Sequence, residues 1–118
     1  MKKLEHLAQV ALFRWAELNV RMYPSVNLMF AIPNGGQRHP AVAASLKAEG
    51  VKAGVPDVCL PVSRGKWIGL WIEIKAGRNK PTPSQIRWHR DLEAEGHLVK
   101  VCYGWEEAVE VVKEYLAI

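Results

Sequence analysis

Residues 54–75, GVPDVCLPVSRGKWIGLWIEIK, decide the fold because two apolar, strand-like runs carry charged side chains in unusual places. The first run, VPDVCL, holds Asp57 near its start, and the second, WIGLWIEIK, holds Glu73 and Lys75 near its end. Because side chains alternate along a strand, Glu73 and Lys75 share a face and lie roughly 7 Å apart. The opposite face is apolar and is expected to form core; it carries Ile68, Leu70, Ile72 and Ile74.

If the two runs pair as neighbouring strands, Asp57 and Glu73 converge at one oxygen-rich site. Two carboxylates buried side by side are costly unless a cation lies between them. Carboxylates, a backbone carbonyl and water are the ligands of a hard cation such as Mg²⁺. The alternative is structural: Glu73 and Lys75 form a surface ion pair, and Asp57 is a turn residue after Pro56. The combined pattern favours a metal site.

Together with its flanking residues, this stretch resembles a known nuclease family. Pro56-Asp57 followed by Glu73-Ile74-Lys75 is similar to the PD-(D/E)XK nuclease signature. Further elements narrow the resemblance to the VRR-NUC (virus-type replication-repair nuclease) branch: IPNGG at 32–36 with Arg38, LKAEG at 46–50, GVPD at 54–57, and Gln85. The resemblance extends from Glu5 to the final helix. It implies an α/β fold with a restriction-endonuclease-like core, in which helices flank a mixed central sheet.

The resemblance also assigns roles within the site. Asp57 and Glu73 bind Mg²⁺ or Mn²⁺, with the carbonyl of Ile74 as a further ligand, and no organic cofactor is expected. Lys75 orients the attacking water or stabilises the transition state, and a pKa lowered by burial would let it act as a base. Gln85 and Glu5 complete the site directly or through water. The sequence leaves open whether one metal ion or two operate.

Gln85 and Glu5 also have simpler explanations. Residues 82–85, TPSQ, form a capping box that gives Gln85 a structural role at a helix start, only in part compatible with a role at the metal. Glu5 lies in an amphipathic helix predicted over residues 3–20, where it and Gln9 also fit a solvated polar stripe. Glu17, the competing acidic residue of that helix, is expected to be exposed.

Glycines and basic residues define the predicted DNA contacts. The NGG turn at 34–36 lets a ligand approach the backbone, and the guanidinium of Arg38 suits phosphate oxygens, although an ordinary loop explains the same residues. The most basic region surrounds the helix predicted from Pro83, whereas Lys47 is by default a solvated surface lysine. The residues predicted to bind DNA are Asn34, Gly35, Gly36, Arg38, Lys47, Arg78, Lys80 and Arg87.

Helices and strands alternate along the rest of the chain, which predicts an α/β or α+β sandwich around a mixed sheet. Strands are predicted at residues 27–32 and 97–103, a short helix at 40–49 with Val42, Ala43 and Leu46 as its apolar face, and a helix from 83 towards Gly96. The final helix, residues 105–116, is expected to bury four side chains. These are Ala108, Val109, Val112 and Leu116.

Composition bounds the class of protein. The 118 residues make one domain, 1–118, and the net charge of +4 permits a polyanionic partner without proving one. Cys59 and Cys102 lie in apolar runs, which indicates small buried side chains in a reducing compartment. Because neither a signal peptide nor a membrane-spanning run is present, we expect a cytoplasmic protein of a bacterial or phage-infected cell that does not bind membranes.

The resemblance implies a metal-dependent, structure-selective DNA endonuclease acting in DNA repair or recombination. The chain holds the nuclease core and little else, like standalone bacterial and phage members, which resemble homodimeric resolvases of four-way (Holliday) junctions. A homodimer matches the two-fold symmetry of such a branched substrate. An exposed tryptophan among Trp67, Trp71 or Trp88 could seed its interface, whereas core packing explains most of the tryptophans.

Two alternatives remain. One is a nuclease of the same fold that cuts flaps, nicked or linear duplex DNA, or invading DNA in phage defence. The other is a DNA-binding module without catalysis, against which the full set of Asp57, Glu73, Lys75 and Gln85 argues.

Overall fold

A computed structural model describes residues 2–33 and 39–118, which form a mixed sheet of four strands flanked by helices. This confirms the predicted α/β architecture. The helices are α1 (Lys2–Leu18), α2 (Pro40–Ala48), α3 (Pro83–Ala94) and α4 (Trp105–Leu116). The strands are β1 (Phe30–Ala31), β2 (Val58–Leu60), β3 (Leu70–Lys75) and β4 (Leu98–Tyr103). None of the helices in the described ranges is long and apolar enough to cross a membrane.

The sheet runs in the order β1-β2-β3-β4, antiparallel except for the parallel pair β3 and β4. Strands β2 and β3 are neighbours, as the convergence of the two carboxylates requires, and Val58 pairs with Ile72. One residue further along this register, Asp57 and Glu73 come side by side. A shift by one residue would place Glu73 on the opposite face, so this pairing fixes the site.

Strand β3 separates an apolar face from a polar one. Leu70, Ile72 and Ile74 are buried in the main hydrophobic core with residues of α1 and α4, such as Leu12 and Val112. Each such buried side chain contributes roughly 1.5–3 kcal/mol to folding. The opposite face, which carries Glu73, lies against α3.

The expectation that Ile68 belongs to the core is wrong, because its side chain is 54% exposed. A tight turn precedes the strand, with Arg64 and Trp67 paired through two backbone hydrogen bonds. The strand therefore begins only at Leu70, and the Ile68 N–H bonds instead to the Gly96 carbonyl.

Helix α4 agrees with its predicted bounds and buries Ala108, Val109 and Val112. Tyr115 is the fourth buried side chain of this helix, whereas Leu116 is only partly buried at the edge of the core. The Tyr115 hydroxyl donates to the carbonyl of Val62, which satisfies its polar end in an apolar setting.

The strand predicted at residues 27–32 is mostly wrong. A short 3₁₀ helix, Pro24–Leu28, occupies the first part, and only Phe30 and Ala31 pair with β2. The Val26 N–H bonds to the Tyr23 carbonyl and the Met29 N–H to the Val26 carbonyl, so local turns replace sheet pairing here. A proline in the first turn favours this outcome, since its fixed φ suits a helix start.

Helix α2 begins at Pro40 as predicted, and Gly50 follows its end with φ +102°. Its predicted apolar face does not form, because none of its residues is buried and Val42 is 50% exposed. Leu46 is only partly buried. An amphipathic pattern predicts which face of a helix can be buried, but no element of the described chain covers the apolar face of α2.

Candidate active site

Two charged side chains of β3 lie inside the protein. Glu73 is 1% exposed and Lys75 is 7% exposed. This burial excludes the alternative in which the two residues form a surface ion pair. Because isolated charges are costly to bury, their retention on a strand indicates chemistry or compensating partners nearby.

Asp57 meets β3 at the start of β2. Its Oδ2 accepts a hydrogen bond of 2.7 Å from the backbone N–H of Ile74. Its carboxyl group also lies close enough to Glu73 to raise the pKa of that side chain. The antiparallel pairing thus places two carboxyl groups beside the Ile74 backbone, as the sequence predicts.

The protein environment raises the pKa of Glu73 from 4.5 to about 9. Burial is the largest cause, and the nearby charge of Asp57 adds to it. Lys75 opposes this shift, and the more distant charge of Glu5 contributes slightly to it. In the metal-free protein at neutral pH, Glu73 therefore carries a proton, which a bound cation would displace.

Gln85 links the start of α3 to Glu73. Its backbone N–H donates to Thr82 Oγ1 at 3.3 Å, and its Oε1 accepts from the Thr82 N–H at 2.9 Å, forming the predicted capping box. Its Nε2 also donates to Glu73 Oε2 at 3.1 Å. The structural role and the contact with the site coexist, because the amide oxygen serves one and the amide nitrogen the other.

His89 is a residue of this site that the sequence interpretation missed. Its Nε2 lies 3.3 Å from Glu73 Oε1. Burial lowers the pKa of His89, so the contact is a hydrogen bond between neutral groups at pH 7 rather than an ion pair. The available signal was its spacing: His89 follows Gln85 by four residues and so shares its helix face.

Glu5 lies at the loop that follows β3. Its Oε2 accepts a 3.1 Å hydrogen bond from Asn79 Nδ2, and the Asn79 carbonyl accepts one of 2.8 Å from the Tyr103 hydroxyl. Asn79 was not a predicted site residue, and no local pattern marks it. Glu17 is exposed, as expected.

The predicted DNA-binding residues fall into three groups. Arg78 and Lys80 are exposed in the loop around Asn79, next to Glu5. Arg87 is exposed on α3, about 200° around the helix from Gln85, where it lines a surface cavity of about 490 Å³ on the outer side. Lys47 is exposed in the last turn of α2. Residues 34–36 and Arg38 lie outside the described residues.

The donor set fits a divalent cation with a strong preference for oxygen. Among residues 2–33 and 39–118, no group of three or more His, Cys, Asp or Glu side chains is arranged to hold a metal ion. Two adjacent carboxyl groups and a neighbouring peptide unit nevertheless suit Mg²⁺, which typically binds one or two carboxylates and completes its shell with water and substrate phosphates.

The mixed sheet, with an acidic pair and a lysine on its central strands, defines a nuclease-type fold of the PD-(D/E)XK kind. The sequence matches the VRR-NUC domain over residues 5–106, and the chain belongs to this family. A solved structure described as a "VRR_NUC domain protein" is 29% identical, with a TM-score of 0.80 over 97% of this chain and 88% of that one. No curated protein matches the chain.

Proposed function

We propose that this protein is a metal-dependent DNA endonuclease that resolves four-way junctions as a homodimer. The observation that carries the proposal is the pair of Asp57 and Glu73 beside the Ile74 backbone. A buried carboxyl group with a strongly raised pKa, here Glu73, is typical of a functional site. Membership of a nuclease family supports DNA as the substrate.

Asp57, Glu73 and the carbonyl of Ile74 would hold Mg²⁺ or Mn²⁺. The cation supplies a Lewis acid that neutralises charge on the phosphate and lowers the pKa of the attacking water. Gln85 and His89 hold Glu73 in place from α3. The charge of Asp57 favours occupation of the site by a cation, which must displace the proton that burial keeps on Glu73.

Lys75 would act on the reacting phosphate. It shares a strand face with Glu73 and is 7% exposed, so its ammonium group has little freedom to move. A fixed positive charge in a site of low polarity stabilises the negative charge that develops in the transition state. Lys75 also orients the attacking water. Glu5, held by Asn79, borders the same end of the sheet.

Arg78 and Lys80 would direct DNA to the site. Both are exposed on the loop that Asn79 connects to Glu5. Contacts with phosphate oxygens position a nucleic acid without reading its sequence. A substrate selected by shape, such as a branched junction, suits this mode of binding.

Exposed apolar residues support a homodimer. Helix α2 has no buried residue, and α1 exposes a series of large hydrophobic side chains. Exposed apolar patches of this kind commonly mark interfaces between proteins. Trp67, Trp71 and Trp88 do not fit the predicted interface, because each is partly buried. The exposed residues are Leu4, Leu7, Val10 and Leu18 on α1, Val42 on α2, and Trp105 on α4.

The test is cleavage of labelled four-way junction, flap and linear duplex DNA with Mg²⁺, Mn²⁺ or EDTA. We expect junction cutting that requires the metal and is lost in Asp57→Asn. Cutting of flaps or duplex alone would support metal-dependent DNA hydrolysis but contradict the four-way junction as the substrate. Binding of DNA without cutting of any substrate would instead indicate a DNA-binding module.

A further inference from the structure

Glu73 is held from α3 on both of its oxygens. Gln85 Nε2 donates to Oε2 at 3.1 Å, and His89 Nε2 lies 3.3 Å from Oε1. We propose that His89 is a positioning residue that, together with Gln85, fixes the Glu73 carboxylate in the orientation that binds the cation. This inference rests on the proposed function, and it adds a residue that the motif of the family resemblance does not contain.

The carboxylate needs such support because its last torsion is soft. A terminal bond of this type has a broad, two-fold profile, so burial alone does not fix the plane of the carboxyl group. Two N–H groups from one rigid helix, one on each oxygen, fix that plane. Each oxygen has about two acceptor positions, so one position on each oxygen stays free for a cation.

The geometry of α3 makes the two donors act together. Gln85 and His89 are four residues apart and therefore lie on one face of the helix. The capping box with Thr82 fixes the helix start, and with it the position of Gln85. His89 is 12% exposed, so water competes little for its contact with Glu73.

The role requires an N–H group and not a positive charge. A Glu73 side chain that binds a cation is ionised and offers only acceptors, so His89 Nε2 must carry the hydrogen. A glutamine at this position places an amide N–H at about the reach of Nε2. Asparagine is one methylene shorter, and leucine has no N–H at all.

The experiment is calorimetric titration of the DNA-free protein with Mn²⁺. His89→Leu is expected to weaken Mn²⁺ binding by about 10-fold or more, the usual cost of losing a partner of a metal ligand. His89→Gln is expected to restore binding to near the wild-type value, and His89→Asn to fall short of it. His6→Leu, which removes an exposed histidine of α1, is the matched control and is expected to leave the affinity unchanged.

Circular dichroism shows which variants are folded, and the comparison of His89→Gln with His89→Asn decides the question if His89→Leu does not fold. Equal affinity in wild type, His89→Asn and every folded His89 variant would overturn the role of His89 while leaving the metal site intact. A wild-type protein that binds no Mn²⁺ would overturn the proposed function itself, and the positioning role with it. Loss of binding in Asp57→Asn would show that the Mn²⁺ measured in the wild type is held at this site.

Discussion

At the scale of single residues, folding stability and metal binding both depend on the proton that Glu73 carries. Glu73 is buried against Asp57, and its pKa is about 9 in the folded protein. In an unfolded chain the same group titrates near 4.3. Between these two values the folded state binds more protons than the unfolded state, so raising the pH through this range favours unfolding.

The first prediction follows from this direction of the pH dependence of stability. In EDTA, the free energy of unfolding should fall as the pH rises from about 5 to about 9, and Glu73→Gln should remove most of that slope. Adding Mg²⁺ should stabilise the protein more at pH 8 than at pH 6, because the cation must displace the proton of Glu73. Urea unfolding at a series of pH values measures both effects. Equal slopes in wild type and Glu73→Gln would contradict the assignment.

The second prediction concerns Lys75. If this lysine acts on the reacting phosphate, Lys75→Ala should lower the single-turnover cleavage rate by on the order of 100-fold, as for other lost transition-state donors. DNA affinity should change little, because Lys75 is buried and contributes little to docking. Lys80→Ala is the matched contrast: it should weaken binding while keeping the rate at saturating protein. A parallel loss of binding and rate in Lys75→Ala would show that Lys75 acts in docking.

At the scale of elements, the sequence predicted an element correctly where the interactions that form it are local. The TPSQ sequence predicted the start of α3 because a capping box is satisfied within one turn of chain. Residues 27–32 were misassigned because short apolar runs fit a strand and a turn equally well. The 3₁₀ helix that begins at Pro24 takes the first two of these residues, and its hydrogen bonds are local.

The third prediction concerns the loop before Asp57. Gly54 has φ +93°, and a Cβ there would lie 3.0 Å from the backbone and side chain of Ser84, one residue before Gln85. Gly50 has a similar φ of +102°, but a Cβ there would meet nothing within 4 Å. Both Gly→Ala changes incur backbone strain of roughly 1–2 kcal/mol. Only Gly54→Ala should also displace the start of α3 from the acidic pair.

Gly54→Ala is therefore expected to lose more stability than Gly50→Ala in urea unfolding, and to lose cleavage activity as well. Gly50→Ala should lose stability and keep its activity. Similar losses of stability and activity in both variants would mean that the contact between the loop and α3 does not position the site.

At the scale of the whole molecule, the site combines distant parts of the chain, and this limits what a sequence reveals. Asp57 and Glu73 were found because each belongs to a recognisable motif and the strands pair as neighbours. His89 and Asn79 were missed because their partners lie 16 and 74 residues away in sequence. Only the packing of α3 and α1 around the sheet brings them together.

The fourth prediction uses the salt dependence of junction binding to count DNA-bound protomers. Each phosphate contact removed should reduce the slope of log affinity against log salt by about 0.9. Arg78→Ala should therefore lower the slope by about 0.9 if one protomer binds each junction, and by about twice that if a homodimer places both copies of Arg78 on the DNA. Lys66→Ala, which changes an exposed lysine in the turn between Arg64 and Trp67, before β3 begins, is the control and should leave the slope unchanged. An unchanged slope in Arg78→Ala would show that Arg78 makes no phosphate contact. A drop of about 0.9 would contradict a symmetric dimer on the junction.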